Sequence, residues 1–540
     1  ACVEIYDSLN GHPLIYSGRS GLIMDGGWGS RGQPQKPFRI KFDDGVLGQG
    51  PVNEKLLTDR PDRTRYSDLY LANGGGNYLI LPFKDAAQTK MLAKETNNYY
   101  AASRPFSVYI NGQYWGLYDG REKFNTEMFE IYDQANENSI EIMGSSAQYN
   151  FQLRAIEGNL DNFYNSYQAF SQLNPADTNF WTQANQYFDL EYYHDYMIAE
   201  LWMNNADWCF NYNNLKIYRS DATDYRWRYI LMDLEYGLLP NLSNDFNCQY
   251  DLLGQLIQHQ ASDPGNPHFN IFWKGMQNHR FKNYFINRFA DQMNTVYQSS
   301  KMISVWNNIY NLTLPEMSAH YARWGDPNNI PAQINAYDQY SQLFQNELLC
   351  RPEYAREYIQ NNFNLPQQVH VNLEVFPANT GTVNINTVRP DFFPWTGIYF
   401  DGVPVKITAQ PLPGFAFSHW DVNGLIADSA NPVFLDTINI PNVNFKAHFK
   451  STTGLGEIGY QFINAFPNPT ADEVFLNLNS IEHQIIQISI TDLSGRSFEP
   501  EFSIDGKTIK IKTENFSKGY YIVHCKTKTD LSYRASFMKQ

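Results

Sequence analysis

The sequence predicts a mixed α+β module followed by two small all-β domains, and three observations predict it. Short strand patterns alternate with Gly-rich turns up to about residue 145. Helix-period segments dominate from there to about residue 365. Beyond that point the chain is β-rich, with many Pro, Gly and Asn and no helix-period segment.

Taken in order, GLIMDGGWGSRGQPQKPFRIKFDDG (21–45) reads as strand, loop, strand, and Ala86 to Ala101 reads as a helix. RPFSVYINGQYWGLYDGREKF (104–124) reads as a hairpin, because Asn111-Gly112 between apolar runs is a strong two-residue turn signal. In DLEYYHDYMIAELWMNNADW (189–208), Asp189 is a candidate N-cap. Leu190, Tyr193, Met197 and Leu201 then share one face at helical spacing. Two strands follow, NLKIYR (214–219) and RWRYILMDLEYG (226–237), and later helices fill 281–298 and 351–363. The expected organisation is a β-rich half over 1–149, a mainly helical half over 150–367, a β-domain over 368–450, a linker over 451–464 and a last β-domain over 465–540.

A chain of 540 residues is too long for one core and holds roughly three or four domains. Its formal charge of −15 sets a field that repels nucleic acid, so no nucleic-acid partner is expected. Aromatic residues reach 16%, a level common in exported proteins that bind polymers or sugars. The five cysteines, Cys2, Cys209, Cys248, Cys350 and Cys525, are scattered and unpaired in sequence. That argues against a zinc site or a disulfide framework and leaves room for one bridge. No apolar run approaches the roughly 18 residues that span a bilayer, and no signal peptide is visible. The opening CVEIYD already reads as a strand, so further residues are expected upstream.

The chemistry-bearing residues fall in two groups. At the end of a strand, residues i and i+2 share a face, so Asp233 and Glu235 should project together. Two such carboxylates repel unless a cation sits between them, and a hard ion such as Mg²⁺ or Mn²⁺ takes oxygen ligands. Asp207, with Asn211, Asn213 or Asn214, comes from the preceding loop and completes an acid–amide–acid cluster suited to a metal-held polyphosphate. The first part of the chain offers the complement. Gly26, Gly27, Gly29 and Gly32 form a loop whose N–H groups can approach phosphate, and Arg31, Lys36, Arg39 and Lys41 follow. Glu122 and Lys123 sit just after the hairpin, where they could pair with one of these bases.

Each feature also has a plainer reading. The glycines suit a surface turn. Lys36 to Lys41, alternating with Phe38, Ile40 and Phe42, suit a solvated strand face. Asp207 suits a turn cap, and Asp233 with Glu235 a structural Ca²⁺ site or open solvent. His194 reads as packed in its helix and Cys209 as buried.

At these residues the sequence resembles the spore-coat protein H (CotH) kinase family, over roughly residues 1–365. The carrying stretches are GGWGSRGQPQKPFRIKF, RPFSVYINGQYWGLYDGREKFN and NNADWCFNYNNLKIYR with WRYILMDLEYGL. The resemblance implies a two-lobed, atypical protein-kinase-like module that is secreted and transfers phosphate from ATP to Ser or Thr. It puts Asp207 in the catalytic-loop acid position and Asp233 in the metal-binding acid position. It aligns Asn213 or Asn214 with the asparagines after the loop acid, and Glu122 with a glutamate after the hairpin. Arg31 and Lys36 match its SR…K stretch, which leaves open which base reaches ATP. The expected nucleotide set is therefore Gly29, Arg31, Lys36, Arg39, Lys41 and Glu122. The expected metal set is Asp233, Glu235, Asn213 and Asn214. Two departures stand out: Met232 and Glu235 occupy positions where the family usually has Trp and Asp. The longer Glu shifts a bound ion, and the family also includes surface adhesion proteins, so membership alone leaves activity open.

GIYFDGVPVKITAQPLPGFAFSHWDVNG with NFKAHF resembles the divergent B-repeat of internalin-like surface proteins. It implies a spacer or binding domain with Trp420 and Phe417 in its core and turns at Gly402 and Gly414. FPNPTADEVFLNLN, ISITDLSGR and the last strand resemble the C-terminal sorting domain of the type IX secretion system. There Pro467 and Pro469 should set the first turn, and Asp492–Gly495 the central hairpin. Gly519 should open the last strand, and Phe475, Ile488, Ile490 and Ile522 should lie in the core. That resemblance implies a bacterial protein, secreted or surface-attached, with the type IX machinery as partner.

The expectation is thus an exported atypical kinase acting on a protein substrate. The alternative is a non-catalytic adhesin or polymer-binding protein on the same fold. A carbohydrate-active enzyme would need two carboxylates roughly 5–10 Å apart across an open cleft, with no basic phosphate cradle beside them.

Overall fold

Strand patterns and turn chemistry set the first half of the molecule. The computed structural model describes all residues except 9–10, 44, 61–62, 206, 209, 211, 239–246, 427–429, 436–439, 453–460, 478–484, 506–507 and 528–531. Strands β1 (Cys2–Tyr6) and β2 (Leu14–Arg19) pair as an antiparallel hairpin. The next strands are β3 (Gly21–Met24) and β4 (Phe38–Lys41), joined through the one-turn helix α1 (Trp28–Gly32). Strand β5 (Asp68–Ala72) then precedes helix α2 (Lys84–Ala93), which ends eight residues before the expected Ala101. Strands β6 (Ser103–Ile110) and β7 (Gln113–Arg121) turn at Asn111 and Gly112, both at positive φ as a tight hairpin of this twist requires. The five strands form an antiparallel sheet in the order β3-β4-β5-β7-β6. Ile40, Phe42, Leu69, Leu71 and Tyr118 bury against its inner face.

After α3 (Thr126–Asp133), β8 (Glu141–Ser145) and β9 (Arg154–Glu157) leave that sheet. They join β10 (Leu215–Arg219) and β11 (Arg228–Tyr229) in a second sheet, ordered β11-β10-β8-β9. Strand β8, although it precedes residue 149, therefore pairs with the second half of the module. Helices α4 (Leu160–Ser171), α5 (Phe180–Ala184) and α6 (Leu190–Met203) come between β9 and β10. The four predicted apolar positions of α6 are buried, but so are His194, Asp195 and Glu200. Helix α6 is thus enclosed all round rather than on one stripe. His194 packs, with Nδ1 on the Leu190 carbonyl and its ring against Trp181 and Phe281. Asp189 flanks the helix but accepts from Arg228 Nε at 2.9 Å instead of capping it.

The helices that follow are α7 (Leu252–His259), α8 (Pro267–Gly275), α9 (His279–Asn294), α10 (Ser299–Trp324) and α11 (Ile330–Asn362). Helix α10 lies across β7: Leu117 N–H donates to His320 Nδ1 at 3.2 Å, and Trp324 Nε1 donates to the Trp115 carbonyl at 2.6 Å. The one bridge the cysteine count allowed is Cys248–Cys350. Cys2 and Cys525 are free, and Cys209 lies outside the described residues.

Chain contacts divide the protein into one unit of residues 1–282 with 296–358, and a second of 283–295 with 359–540. In the second unit, residues 368–451 form sheets of five and three strands around buried Trp420, with half-buried Phe417 packed against it at a tilt. Gly402 and Gly414 turn there at positive φ. The last 80 residues form two further sheets, and Asp492 holds the predicted turn by accepting from the Ser494 and Arg496 N–H groups. Ile488, Ile490 and Ile522 are buried as expected. Phe475 is not in that core: Val474 and Leu476 face inward, so strand alternation sends Phe475 to the other side, against Phe466. Part of the expected linker, 453–460, lies outside the described residues.

Candidate functional site

One cavity of about 480 Å³ lies within the first unit. Its wall includes Gly26, Gly27 and Gly29 from the β3–α1 turn, Asp85 from α2, and Arg121, Glu122 and Lys123 at the end of β7. Asp207, Asn213, Asn214, Asp233 and Glu235 line it as well. The glycine turn and the predicted acids, far apart in sequence, thus border the same space.

Asp207 is positioned by the way α6 stops. Asn204 takes a left-handed conformation, and Arg351 donates to the Leu201 and Trp202 carbonyls of the last turn, both at 2.7 Å. In the loop beyond, Asn213 Nδ2 donates to Asp207 Oδ1 at 2.7 Å, and Asn214 Nδ2 donates to Oδ2 at 3.2 Å. The two asparagines therefore orient the acid. Asn213 Oδ1 accepts from the Ala147 N–H at 2.9 Å, which fixes the side chain that holds Asp207. Asn211 lies outside the described residues.

Asp233 and Glu235 reach the cavity by a route other than strand alternation. Strand β11 ends at Tyr229, and Asp233 adopts φ +57, the left-handed region that costs an ordinary residue energy and collects at functional sites. The Leu234 N–H donates to Asp85 Oδ1 at 2.7 Å. Glu235 then bends away, accepting from the Gly76 N–H, while Lys84 Nζ holds the Glu235 carbonyl at 3.3 Å. Gly75 is required at this contact: its φ is +55 and a Cβ there would overlap the Glu235 carboxylate. Burial, followed by the charges of Asp85, Glu235 and Asp207, pushes the Asp233 carboxyl well above the usual range, against the pull of Arg121. Burial and Asp85 likewise push Glu235 up to about 7, opposed by the Gly76 N–H and Lys84.

The predicted bases behave differently. Lys36 donates to the Arg31 carbonyl at 2.8 Å, and Arg39 Nε donates to Asp68 at 2.9 Å. Lys41 stands in β4 opposite Gly21 and Asp68. None of Arg31, Lys36, Arg39 and Lys41 lines the cavity. Strand direction explains this for β4, whose side chains alternate between the core and the far face. Glu122 pairs with none of them. It accepts from Arg63 Nη1 at 2.7 Å and from the Ala102 N–H at 2.8 Å. The cations on the wall are Arg121, Lys123 and Lys216. Lys123 pairs with Asp25 at 3.0 Å. Burial works to raise the Asp25 carboxyl, but Lys123 and the Gly26 N–H hold it below its ordinary range. Burial, reinforced by the like charge of Lys123, lowers the Lys216 ammonium to about 7.

Asp85, Arg121, Lys216, Glu200 and Asn205 were not singled out from sequence. Glu200 Oε1 and Asn205 Oδ1 are buried without hydrogen-bond partners, and Asn205 Nδ2 points to the Asp233 carbonyl at 3.4 Å. This oxygen-rich donor set, with carboxylates that raise one another, fits a hard divalent cation held by one or two carboxylates together with phosphate and water. It is not a closed three-carboxylate cage. Among the described residues the one trio of ligand atoms within 4.8 Å of one another is Cys248, Glu347 and Cys350, whose two sulfurs are already bonded together.

Similarity to known proteins can be set beside this geometry. No curated protein matches the chain. Among solved structures, SGBP-B of a Bacteroides ovatus mixed-linkage glucan utilization locus, in complex with a mixed-linkage heptasaccharide, is 10% identical. The match covers 32% of this chain and 63% of that one, with a TM-score of 0.13. An endo-fucoidan hydrolase from glycoside hydrolase family 107 is 11% identical over 42% of this chain and 44% of that one, with a TM-score of 0.11. The chain spans less than two thirds of either structure, and neither likeness bears on the fold or the site. Family models are informative. A secretion system C-terminal sorting domain matches residues 464–540, which makes this a bacterial protein that is secreted or attached to the cell surface. Among the described residues no helix is long and apolar enough to cross a membrane. The CotH kinase protein model matches residues 18–360, well over half of the sequence, and the chain therefore belongs to the CotH family.

Proposed function

We propose that this protein is an exported protein kinase. It takes ATP with Mg²⁺ or Mn²⁺ in the cavity and transfers the terminal phosphate to Ser or Thr of surface or secreted proteins. The observation that carries the reading is that Asp207, Asp233 and the Gly26–Gly29 turn border one cavity. Asp207, fixed by two side-chain amides, is suited to orient an acceptor hydroxyl and take up its proton. Asp233, crowded by three other carboxylates, is suited to a cation. A bound divalent ion would neutralise charge on the phosphates. The glycine turn lines the same cavity, with the Gly26 N–H donated to Asp25 Oδ1 at 2.7 Å.

The test is incubation of the purified protein with labelled ATP and Mg²⁺ or Mn²⁺. Autophosphorylation that is lost in Asp207→Asn and in Asp233→Ala supports the reading, and no incorporation in the wild type counts against it. A second reading, a non-catalytic adhesin on the same fold, draws on one observation: Glu235 is engaged by the Gly75–Gly76 turn and does not close a three-acid cluster with Asp207 and Asp233. ATP-independent binding of surface polymers, with no phosphate transfer, would favour it.

A further inference from the structure

The cavity carries six carboxylates, those of Asp25, Asp85, Glu122, Asp207, Asp233 and Glu235, so a polyphosphate entering it needs cations on the wall. Two of the three cations there are already committed. Arg121 is held by Asp85 and Asp119, both at 2.6 Å. Lys123 is held by Asp25 at 3.0 Å and lies over the Tyr70 ring at 4.6 Å. Lys216 has no ion pair within 4.0 Å among the described residues. Its Nζ lies over the Phe124 ring, 5.2 Å from the ring centre. It stands in β10 two residues after Asn214. Directly opposite in β8 is Gly144, which puts no cross-strand side chain beside it. A half-buried ammonium with no carboxylate in direct contact is costly, and an arriving anion would reduce that cost.

We propose that Lys216 is the positioning residue for the nucleotide's phosphates, making the direct cationic contact with the polyphosphate that Arg31, Lys36, Arg39 and Lys41 are not placed to make. This rests on the kinase reading and adds to it the base that reads the phosphate chain. Lys216 acts on the phosphates alone, so its contribution should grow with their number and vanish for the nucleoside.

The experiment is calorimetric titration of the full chain with ATP, ADP and adenosine in MgCl₂, for wild type, Lys216→Met and Lys216→Arg. A charged hydrogen bond of ordinary strength predicts that Lys216→Met weakens ATP by about tenfold or more, ADP by less and adenosine not at all. Lys216→Arg should recover part of the ATP affinity. If the wild type binds ATP and Lys216→Met keeps the same ATP-to-adenosine ratio, this inference fails while the kinase reading stands. If the wild type binds no ATP, both fall. A second measurement needs no variant: pyridoxal 5′-phosphate with borohydride should label Lys216, and ATP but not adenosine should protect it. Labelling of Lys216 that ATP leaves unchanged would overturn the assignment.

Discussion

Arg63 Nη1 lies 2.7 Å from Glu122 Oε1, and neither side chain is more than 3% exposed. Arg63 Nη2 also meets Glu127 at 2.9 Å, so one guanidinium ties the end of β7 to the first turn of α3. Breaking a buried pair by removing one partner costs about 3–5 kcal/mol, because the other charge stays buried and uncompensated. Arg63→Met strands two acids, whereas Glu122→Gln leaves Arg63 with Glu127. Urea unfolding of the first unit should therefore rank Arg63→Met as clearly more damaging than Glu122→Gln. The opposite order would mean that Glu127 contributes little.

Nucleotide with Mg²⁺ or Mn²⁺ should raise the melting temperature, and Asp233→Ala should abolish the rise. At 100 times its dissociation constant a ligand stabilises by about 2.7 kcal/mol, enough to resolve by calorimetry. A full shift in Asp233→Ala would place the cation elsewhere.

Residues 248 and 350 are 102 positions apart, and their disulfide joins the segment before α7 to α11. In the chain-entropy account a loop of this size is restrained by about 4.7 kcal/mol in the unfolded chain, and loss of a native bridge usually costs about 2–5 kcal/mol. Arg351, the next residue, donates to the Leu201 and Trp202 carbonyls at the end of α6, so the bridge lies one position from the group that positions the Asp207 loop. Cys248→Ser with Cys350→Ser should lower the first unit's melting temperature and weaken nucleotide binding. An unchanged melting temperature would show that α11 stays docked without the bridge.

How much of this was legible depended on the range of each interaction. The β6–β7 hairpin was readable because Asn111-Gly112 encodes its turn locally. Asp207 and Asp233 were readable because strand patterns surround them. Lys216 was not, because a lysine in a strand of alternating character looks like a solvent-facing one. Asp85 was not, because its partners Arg121 and Leu234 are 36 and 149 residues away. The pairing of Glu122 was missed for the same reason, since Arg63 lies 59 residues upstream. Asp233 and Glu235 border one cavity, but not by strand alternation, because a single left-handed residue breaks the period of two, and Asp carries little sequence sign that it will do so.

The buried ionisable groups set opposite limits on pH stability. Burial raises Glu200 from 4.5 to about 8. A folded acid with a raised pKa binds a proton that the unfolded chain has released. Its contribution is thus fully present below about 4.5 and is lost as pH climbs to about 8, at up to about 1.4 kcal/mol per pH unit. Burial lowers His320 from 6.5 to about 4, so its contribution is present above 6.5 and is lost as pH falls toward 4. In metal-free buffer, Glu200→Gln should flatten the alkaline decline of the first unit and leave the acid limb in place. An unchanged decline between pH 5 and 8 would assign it to other groups.

The sorting tail should serve export and leave the cavity untouched. Every residue on the cavity wall lies between 25 and 236, and the tail buries its own core of Val474, Leu476, Ile488, Ile490, Ile509 and Ile511. The strand at Gln461–Phe462 pairs with the last strand of the chain, so the clean place to end a truncated protein is residue 460. Units that share no partners contribute nearly additively, so residues 1–460 should bind nucleotide as the full chain does. The same truncation removes the segment that matches the secretion sorting domain and should leave the protein inside the producing cell. Fractionation of cells making either chain tests the first consequence, and ATP titration of both purified proteins tests the second. Normal surface display of the truncated chain would remove the sorting role from residues 464–540, whereas weakened ATP binding would show that the tail supports the cavity from outside its wall.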